Sequence, residues 1–427
     1  MENIENKIPN GENQDTQNSS FFSENVSSSN GLEAKLPYIK FSTSQWQQKN
    51  FSDLFTILSN NTHSRAELTN YGTIRNIHYG DVLIKFGNIL DTSQAEIPYL
   101  CENCKYKDEY MQDGDIIIAD TAEDYTAGKC TELFNVGTSK IISGLHTIPC
   151  RPKIKFAQKY LGYYTNSPAY RHQLLSLLQG IKVYSISKTN LSNTHVSYPP
   201  LPEQQKIADF LSLVDQRIEK QRQLVESLKK YKRGYFQRII SSLETSSFEL
   251  KNIVDEYNAK SKIQNEFPIL SSTLSGIKLQ NDYFNKQAAS ETTIGYKIVP
   301  FGYFTYRSMS DTGEFRFNLQ NIIEKGIVSP AYPVFKVKEE YNAEFVEYIL
   351  NETDNIKSQL LIKKEGGTRY ALSFSKFQTL KIDLPIKNAQ DKTVSQLRFI
   401  NKVLTNEERI LSNLQKLKNG LLQQMFI

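Results

Sequence analysis

The sequence predicts an α+β protein in which two β-rich domains are joined by two long helices that pair as an antiparallel coiled coil. Three observations predict it: a heptad pattern in each half of the chain, an internal repeat of that pattern, and short strand-like runs before each copy. Together they indicate an internal duplication with pseudo-two-fold symmetry.

The first heptad pattern lies in residues 201–240. Apolar or aromatic residues recur there at alternating spacings of three and four, which puts them on one face of a helix. Gln221 and Lys232 interrupt the pattern, and polar residues at such positions usually fix the partner and the register at some cost in stability. The predicted seam is Leu211, Val214, Ile218, Gln221, Val225, Leu228, Lys232, Tyr235 and Ile239.

The partner helix is predicted in the same chain. Leu211 and Leu397 are 186 residues apart, and the same step carries every seam position onto a second seam with both polar interruptions at equivalent places. Each helix follows its own domain, so antiparallel pairing puts one domain at each end of a rod about 42 Å long at ~1.5 Å per residue. The second seam is Leu397, Ile400, Leu404, Glu407, Leu411, Leu414, Lys418, Leu421 and Met425.

Five segments follow from these patterns. The start of the chain is rich in Asn, Ser, Gln and Glu, which is typical of disorder. Runs such as GDVLIKFG, DGDIIIAD, TSKIISG and HTIPC indicate strands in the first domain, and FPILSST and AYPVFKV do so in the second. The predicted segments are a disordered tail 1–34, a first domain 35–200, a first helix 201–245, a second domain 246–385 and a second helix 386–427.

Composition narrows the class of protein. With 427 residues, 39% of them hydrophobic, and a mean hydropathy of -0.48, the chain has enough apolar residues for several cores. No run approaches the ~20 apolar residues of a membrane span, and the polar start lacks the features of a signal peptide, so we expect a cytoplasmic protein with no membrane partner. The net charge of +5 favours an anionic partner only mildly.

The sequence gives no sign of a metal or cofactor. Cys101 and Cys104 form a CxxC pair, but Cys130 and Cys150 are spaced too widely to complete a zinc site, so reduced thiols are expected. A glycine-rich methyl-donor turn, an NPPY-type motif and a GxxxxGK[ST] loop are all absent, so no catalytic residue is predicted.

The helix entry resembles a known family. YPPLPEQQKIADFLSLVDQRIEKQRQLVESLKKYKRG is similar to the central repeat of the specificity subunits of type I restriction-modification systems. The segments LQGIKVYSISKTNLSN and KEGGTRYALSFSKFQTL resemble the glycine-led loops that close the target recognition domains of that family. The second helix entry departs from the pattern, with IKNAQDKTVSQL in place of PLPEQQKIADFL.

The resemblance implies a subunit that reads DNA and is not itself an enzyme. Each recognition domain would read half of a split, asymmetric sequence in double-stranded DNA, and the helices would set the number of unread base pairs. Methyltransferase subunits, two for each specificity subunit, would dock on it and methylate adenine, and a restriction and translocase subunit would join them for cleavage.

Candidate DNA contacts are polar or basic residues on loops, where a rigid scaffold can present them to a groove. In the first domain they are Lys85, Asn88, Thr121, Tyr184, Ser187, Lys188 and Asn190, and in the second Tyr306, Arg307, Ser308, Arg316, Lys363, Lys364, Arg369 and Tyr370. For each of these a solvated surface role is an equal alternative. Lys188 becomes Phe374 and Val183 becomes Arg369 between the copies, as two readers of different sequences require.

Two other functions fit the same architecture. One is a coiled-coil scaffold with two protein-binding domains, and the other is a protein that binds or cleaves DNA without sequence preference. A scaffold would ignore duplex DNA, whereas a reader would prefer one split site once its methyltransferase partner is present.

Overall fold

The computed structural model describes residues 46–280, 292–366 and 369–426, and two long helices organise it. The first long helix spans Leu201–Ser242 and the second spans Lys387–Met425, and they pack against each other. Every seam position of both helices is buried or half-buried, as the heptad spacing predicts. The predicted disordered tail 1–34 lies outside the described residues.

The two long helices run antiparallel. Phe426, which follows the second helix, packs its ring against Tyr160 and Tyr164 of the first domain, with ring centroids 5.9 and 5.6 Å away. Phe236, near the end of the first helix, packs against Phe345 and Tyr348 of the second domain. Each helix therefore starts at its own domain and ends at the other one.

Each domain closes through an equivalent pair of strands. Gln47–Asn50 pairs antiparallel with His195–Tyr198 in the first domain, and Ser246–Glu249 pairs antiparallel with Lys381–Leu384 in the second. The later strand of each pair leads directly into a long helix. Both helices consequently leave their domains at the same place in the fold.

The central sheets of the two domains share a strand order. Four strands correspond one to one, and the first domain adds a fifth at the edge, which runs parallel to its neighbour. The order in the first domain is Phe55–Ile57, Thr147–Pro152, Ile116–Ala119, Cys130–Phe134 and Ile89–Asp91, and in the second Val254–Glu256, Val334–Val337, Phe304–Thr305 and Asn318–Leu319.

Outside this shared core the domains differ. The first domain has a second sheet, and the second domain has two separate strand pairs in its place. The second sheet is ordered Lys140–Ser143, Ile74–Ile77, Tyr99–Leu100 and Leu68–Thr69, and the strand pairs are Leu270–Thr273 with Gly276–Leu279 and Lys297–Pro300 with Lys325–Val328.

The short helices also correspond between the domains, apart from one at the start of the first. In the first domain they are Phe51–Leu54, Tyr160–Thr165, Pro168–Leu177 and Lys188–Ser192, and in the second Ala343–Glu352, Asp354–Lys363 and Phe374–Gln378. Among the described residues, no helix combines the length and apolarity that a bilayer span requires.

Two sequence expectations are wrong. GDVLIKFG forms a π-helical turn over Asp81–Lys85 instead of a strand, because the buried carboxylate of Asp81 is bound by Arg65 at 2.9 Å and the Phe86 N–H donates to the Asp81 carbonyl. Cys101 and Cys104, expected as free thiols, are joined by a disulfide, whereas Cys130 and Cys150 are free and buried.

Candidate nucleic-acid interface

Two glycine-led loops occupy equivalent places in the two domains. Gly180 and Gly366 have φ angles of 119° and 102°, in the region that side chains rarely adopt. A Cβ atom on either glycine would meet the carbonyl oxygen of the residue three positions later, at 1.9 and 2.0 Å. Only glycine fits these turns, which explains why both copies keep it.

Each closing loop forms a two-stranded ladder with a neighbouring segment. Thr121–Ala122 pairs with Tyr184–Ser185, and Met309–Ser310 pairs with Tyr370–Ala371. The equivalent tyrosines, Tyr184 and Tyr370, are half-buried and contact different neighbours. The tilted rings of Tyr184 and Tyr125 pack together with centroids 4.5 Å apart, and Tyr370 lies under the ammonium group of Lys364, which is 3.9 Å from the ring centroid.

In the first domain the closing loop brings together some of the predicted contacts. Thr121 donates to the Tyr184 carbonyl at 3.2 Å, while Lys188 is exposed on the adjoining helix. Ser187 is the N-cap of that helix and accepts from the Asn190 N–H at 3.0 Å, so its hydroxyl has a structural role. The Asn190 side chain donates to the Leu177 carbonyl at 3.2 Å.

Lys85 and Asn88 are not part of that group. The Lys85 ammonium is bound to the Glu96 carbonyl on another loop. Asn88 lines a cavity of about 420 Å³ between the first domain and the two long helices.

The cavity at Asn88 is basic. Lys129 donates to the Leu83 carbonyl at 2.6 Å, and Arg171 donates to the carbonyls of Ala127 and Tyr125. Burial, together with the charges of Arg171 and Lys418, lowers the pKa of Lys129. No ion pair joins Lys129 or Arg171 to a carboxylate within the described ranges. Sequence reasoning missed both residues, because nothing in their local pattern sets them apart from solvated cations.

In the second domain two of the predicted contacts, Arg307 and Arg316, line a cleft of about 720 Å³. Arg307 is exposed, and Ser310 of the closing ladder and the following Asp311 also line the cleft. Arg369 binds Asp311 at 2.9 Å, so it lies beside the same cleft. The cleft thus gathers arginine side chains that the sequence only placed on separate loops.

Three predicted contacts in this domain have other roles. Tyr306 has no exposed surface and its hydroxyl donates to the Leu372 carbonyl at 3.2 Å, so its side chain is part of the core. Ser308 donates to the Ala331 carbonyl at 2.8 Å. Lys363 donates to the Thr379 hydroxyl at 2.5 Å, which anchors it to its own domain.

Arg316 is at the junction between the second domain and the helices. It binds Glu352 at 3.2 Å, and it lies in the chain directly before Phe317, as Lys129 lies before Cys130. Phe317 and Cys130 are equivalent, because each exchanges two hydrogen bonds with an asparagine side chain at the end of a helix. Glu352 therefore neutralises the charge of Arg316 at the second domain, whereas Lys129 has no such carboxylate partner among the described residues.

A buried glutamine joins each domain to its helix. Gln204 accepts from the Ala157 N–H at 3.0 Å and donates to the Pro199 carbonyl at 2.8 Å. Gln390 accepts from the Asn342 N–H at 2.8 Å and donates to the Pro385 carbonyl at 2.7 Å. The second helix entry therefore keeps the junction of the first although it has lost most of the PLPEQQKIADFL pattern.

The two polar lysines of the seams also occupy equivalent junctions. Lys418 lies over the Tyr163 ring, and the Tyr163 hydroxyl donates to Asp215 at 2.9 Å. At the other end, Lys232 lies over the Tyr348 ring, and the Tyr348 hydroxyl accepts from Asn401 at 2.6 Å. Asp215 and Asn401 are 186 residues apart, so both ends of the rod use one arrangement with a single change from carboxylate to amide.

A carboxylate holds the helix against the sheet in both domains, buried in the first and half-buried in the second, but from opposite elements. Glu132, on a strand, accepts from the Gly162 N–H at 2.8 Å, and burial raises its pKa to about 8. In the second domain the carboxylate is on the helix, where Glu347 accepts from the Leu319 N–H at 3.1 Å. Glycine is required at Gly162, because a Cβ atom there would lie 2.2 Å from the Asn88 carbonyl oxygen.

The outer faces of the two helices carry equivalent exposed apolar side chains. Leu213 and Phe399 are 62% and 70% exposed, and they are 186 residues apart. Both side chains are therefore accessible from solvent at equivalent places on the two helices.

Comparisons with known proteins agree with this architecture. Residues 43–230 match the type I restriction modification DNA specificity domain. No curated protein gives a significant match.

Solved structures share the fold along most of the chain. The S subunit of the type I restriction-modification system from M. genitalium is 13% identical, with a TM-score of 0.50, and the match covers 92% of this chain and 99% of that one. A chain from a study of the assembly and conformational transition of the type I system is 15% identical, with a TM-score of 0.52, and the match covers 90% of this chain and 98% of that one.

The match therefore spans both domains and both helices, and the duplicated architecture is that of the S subunits. Residues 43–230 are therefore similar to the DNA specificity domain of type I restriction-modification systems, and most of the chain shares the fold of these solved structures.

Proposed function

We propose that this chain reads a split, asymmetric DNA sequence, with one half read by each domain, and that the helix pair fixes the spacing between the halves. The supporting observation is the duplication itself. Domains with the same scaffold lie at the two ends of the antiparallel helix pair. The side chains at their closing loops differ, as at Lys188 and Phe374. Different side chains on one scaffold are what two unlike half-sites need.

The proposed base and phosphate contacts are the exposed or half-buried groups at the closing loops. In the first domain these are Thr121, Tyr184 and Lys188. In the second they are Arg307, Lys364, Arg369 and Tyr370, close to the 720 Å³ cleft. Arginine binds guanine with two hydrogen bonds in the major groove, so Arg307 and Arg369 are the strongest candidates for direct readout. Lysine more often binds phosphate and sets the position of the protein on the duplex.

We further infer that two copies of an adenine methyltransferase subunit dock on the chain, one at each end. Leu213 and Phe399 support this, because the pseudo-two-fold symmetry presents an exposed apolar residue at the same place on each helix. A partner that binds at one of these positions can bind in a second copy at the equivalent position on the other helix. The junctions behind these residues are alike as well, since both contain a buried glutamine and a lysine over a tyrosine ring.

The test is a map of methylated adenines made by the reconstituted complex of this chain with its methyltransferase partner. We expect one sequence motif in two parts with a fixed gap. Replacing Arg307 and Arg369 with alanine should change one part only, and replacing Lys188 and Thr121 should affect only the other. Lys416→Ala, on an exposed face of the second helix, is the control that should leave the motif unchanged.

Three results would contradict the proposal. One is a continuous motif without a gap. Another is a change in both parts after substitution in one domain. The third is binding to the methyltransferase without any response to duplex DNA, which would favour the scaffold function.

A further inference from the structure

Four side chains that can bind a metal meet at one edge of the first domain. The ligand atoms of His63, Glu67 and Cys104 lie within 4.8 Å of one another. Cys101 is bonded to Cys104, so its sulfur adjoins the same group. All four residues are half-buried, and they come from two segments that are far apart in the sequence.

The ring of His63 is oriented as a metal ligand requires. Its Nε2 atom lies 2.9 Å from the Lys105 carbonyl oxygen, which only accepts, so Nε2 carries a proton. The other nitrogen, Nδ1, points at the Glu67 carboxylate and lies 3.0 Å from Oε1. Metal-binding histidines commonly donate their second nitrogen to a backbone carbonyl, which fixes the tautomer and leaves the first nitrogen free to bind.

Nδ1 and Oε1 both offer lone pairs in the neutral-histidine form. Two such atoms at this distance need a cation between them or a second proton on the ring. The other carboxylate oxygen, Oε2, already accepts from the Ser64 N–H at 2.8 Å. Oε1 is therefore the oxygen of Glu67 that faces the cluster.

The backbone holds the cysteine loop against this pair. The Cys101 N–H donates to the Glu67 carbonyl at 3.1 Å, and the Cys104 N–H donates to the Cys101 carbonyl at 3.1 Å. The loop is tied down again farther on, where the Lys107 N–H donates to Asn61 at 2.8 Å. These bonds do not depend on the disulfide, so the sulfur atoms stay near His63 and Glu67 when it opens.

We propose that the reduced form of this cluster binds one zinc ion through Cys101, Cys104, His63 Nδ1 and Glu67 Oε1. A dithiol reductant supplies two electrons and two protons to the Cys101–Cys104 disulfide and becomes a disulfide itself. Zinc then binds both sulfurs as thiolates and displaces their two protons to solvent. Two sulfurs, one nitrogen and one oxygen are all zinc ligands, and together they give the four-fold coordination of structural zinc sites.

Zinc would replace the disulfide as the link that holds the cysteine loop. That loop carries Lys105 and Lys107 and packs through Cys104 against a small apolar cluster of Ile74, Leu100 and Ile142. The two other cysteines take no part. Both are fully buried, and burial raises the pKa of Cys130 to about 12 and also raises the pKa of Cys150, so neither offers a thiolate.

Cobalt(II) is the probe, because it occupies zinc sites and its bound thiolates absorb strongly in the near ultraviolet. The full chain is reduced with a dithiol, freed of reductant without oxygen, and titrated with cobalt. We expect one equivalent to bind with a thiolate-to-cobalt band, and zinc to displace it. Cys104→Ser should lose most of the band, and His63→Gln and Glu67→Gln should weaken binding. Glu102→Gln, between the cysteines and exposed, is the matched control that should bind normally.

Oxidised wild-type protein serves as a control that is independent of mutation, and it should give no thiolate band. The proposal is overturned if reduced wild-type protein gives no such band. It is also overturned if His63→Gln and Glu67→Gln bind cobalt as tightly as wild type, because the cysteines alone would then account for the binding.

Discussion

Gln221 donates a hydrogen bond to the Glu407 carboxylate at 2.6 Å, and these two residues are 186 positions apart, which is the repeat of the duplication. Equivalent residues of a two-fold pair can touch each other only near the symmetry axis. The contact therefore marks the pseudo-two-fold axis of the molecule. It also explains why both seams carry a polar residue at this position, since a buried polar pair fixes the register of two helices.

Replacing Gln221 with leucine tests that role. The change leaves the half-buried Glu407 carboxylate without its donor, so we expect a loss of about 1–3 kcal/mol in the free energy of unfolding. Gln223→Leu, on the exposed side of the same turn, is the control and should change little. Denaturant unfolding of the full chain measures both variants. Equal midpoints would show that the contact does not stabilise the pair. Gln221→Leu combined with Glu407→Leu should recover most of the loss, because two apolar residues fit the seam.

The junction glutamine gives a second prediction. Gln204→Ala removes two hydrogen bonds and leaves the Ala157 N–H buried without a partner, so we expect a loss of about 2–3 kcal/mol. Its neighbour Gln205 is exposed, and Gln205→Ala should cost much less. Gln390→Ala should resemble Gln204→Ala, since the same two bonds are lost at the other end. Similar stabilities for the Gln204 and Gln205 variants, measured by thermal unfolding, would count against the equivalence of the junctions.

The buried carboxylate of Glu132 predicts a dependence on pH. Its pKa is raised from 4.5 to about 8 by burial, so the folded chain keeps a proton that the unfolded chain loses. By proton linkage, the stabilisation of the folded chain by this proton is complete below about pH 4.5. It is lost as the pH rises towards about 8, by about 1.4 kcal/mol per pH unit in that window.

Glu132→Gln isolates that contribution. Between about pH 5 and 8, the denaturant midpoint of the variant should fall less than that of wild type, because the amide does not titrate. Glu123→Gln, at an exposed position of the same domain, should keep the wild-type profile. Parallel profiles for wild type and Glu132→Gln would mean that the carboxyl group is already ionised in the folded state.

The exposed pair Leu213 and Phe399 predicts the stoichiometry of the complex. Leu213→Glu or Phe399→Glu should each remove one methyltransferase copy, and the double variant should remove both, because a charge in an apolar contact is desolvated without a partner. Native mass spectrometry counts the copies. Gln396→Glu adds the same charge to an exposed neighbour of Phe399 and should leave the count unchanged. A complete assembly with the double variant would place the docking surface elsewhere.

Much of the architecture is predictable from the sequence because it depends on repeated patterns. The heptad seams predicted which residues face each other, and the 186-residue step predicted equivalent junctions. Tyr306 shows where this reasoning stops. It precedes Arg307 in a strand-like run, and only the packing of the sheet decides that its ring points into the core while Arg307 reaches the cleft.

The candidate metal ligands show a second limit. His63 and Glu67 are about 40 residues from the CxxC pair, and no local spacing connects them. The pairing of Leu68–Thr69 with Tyr99–Leu100 brings the two segments together. Lys129 and Arg171 were missed for the same reason, since their half-buried environment comes from the docking of the helices against the domain.

The central claim is that the helix pair sets the distance between two DNA-reading domains. The most direct test removes one heptad from each helix, residues 222–228 and 405–411. Both heptads lie in the part of the helix pair between the first-domain junction at Asp215 and the second-domain junction at Asn401. The rod then shortens by about 10 Å at ~1.5 Å per residue, which is roughly three base pairs of duplex at ~3.4 Å each. Mapping the methylated adenines should show loss of the original spacing, with any remaining site having a gap about three base pairs shorter. Methylation at sites with the original gap would contradict the account.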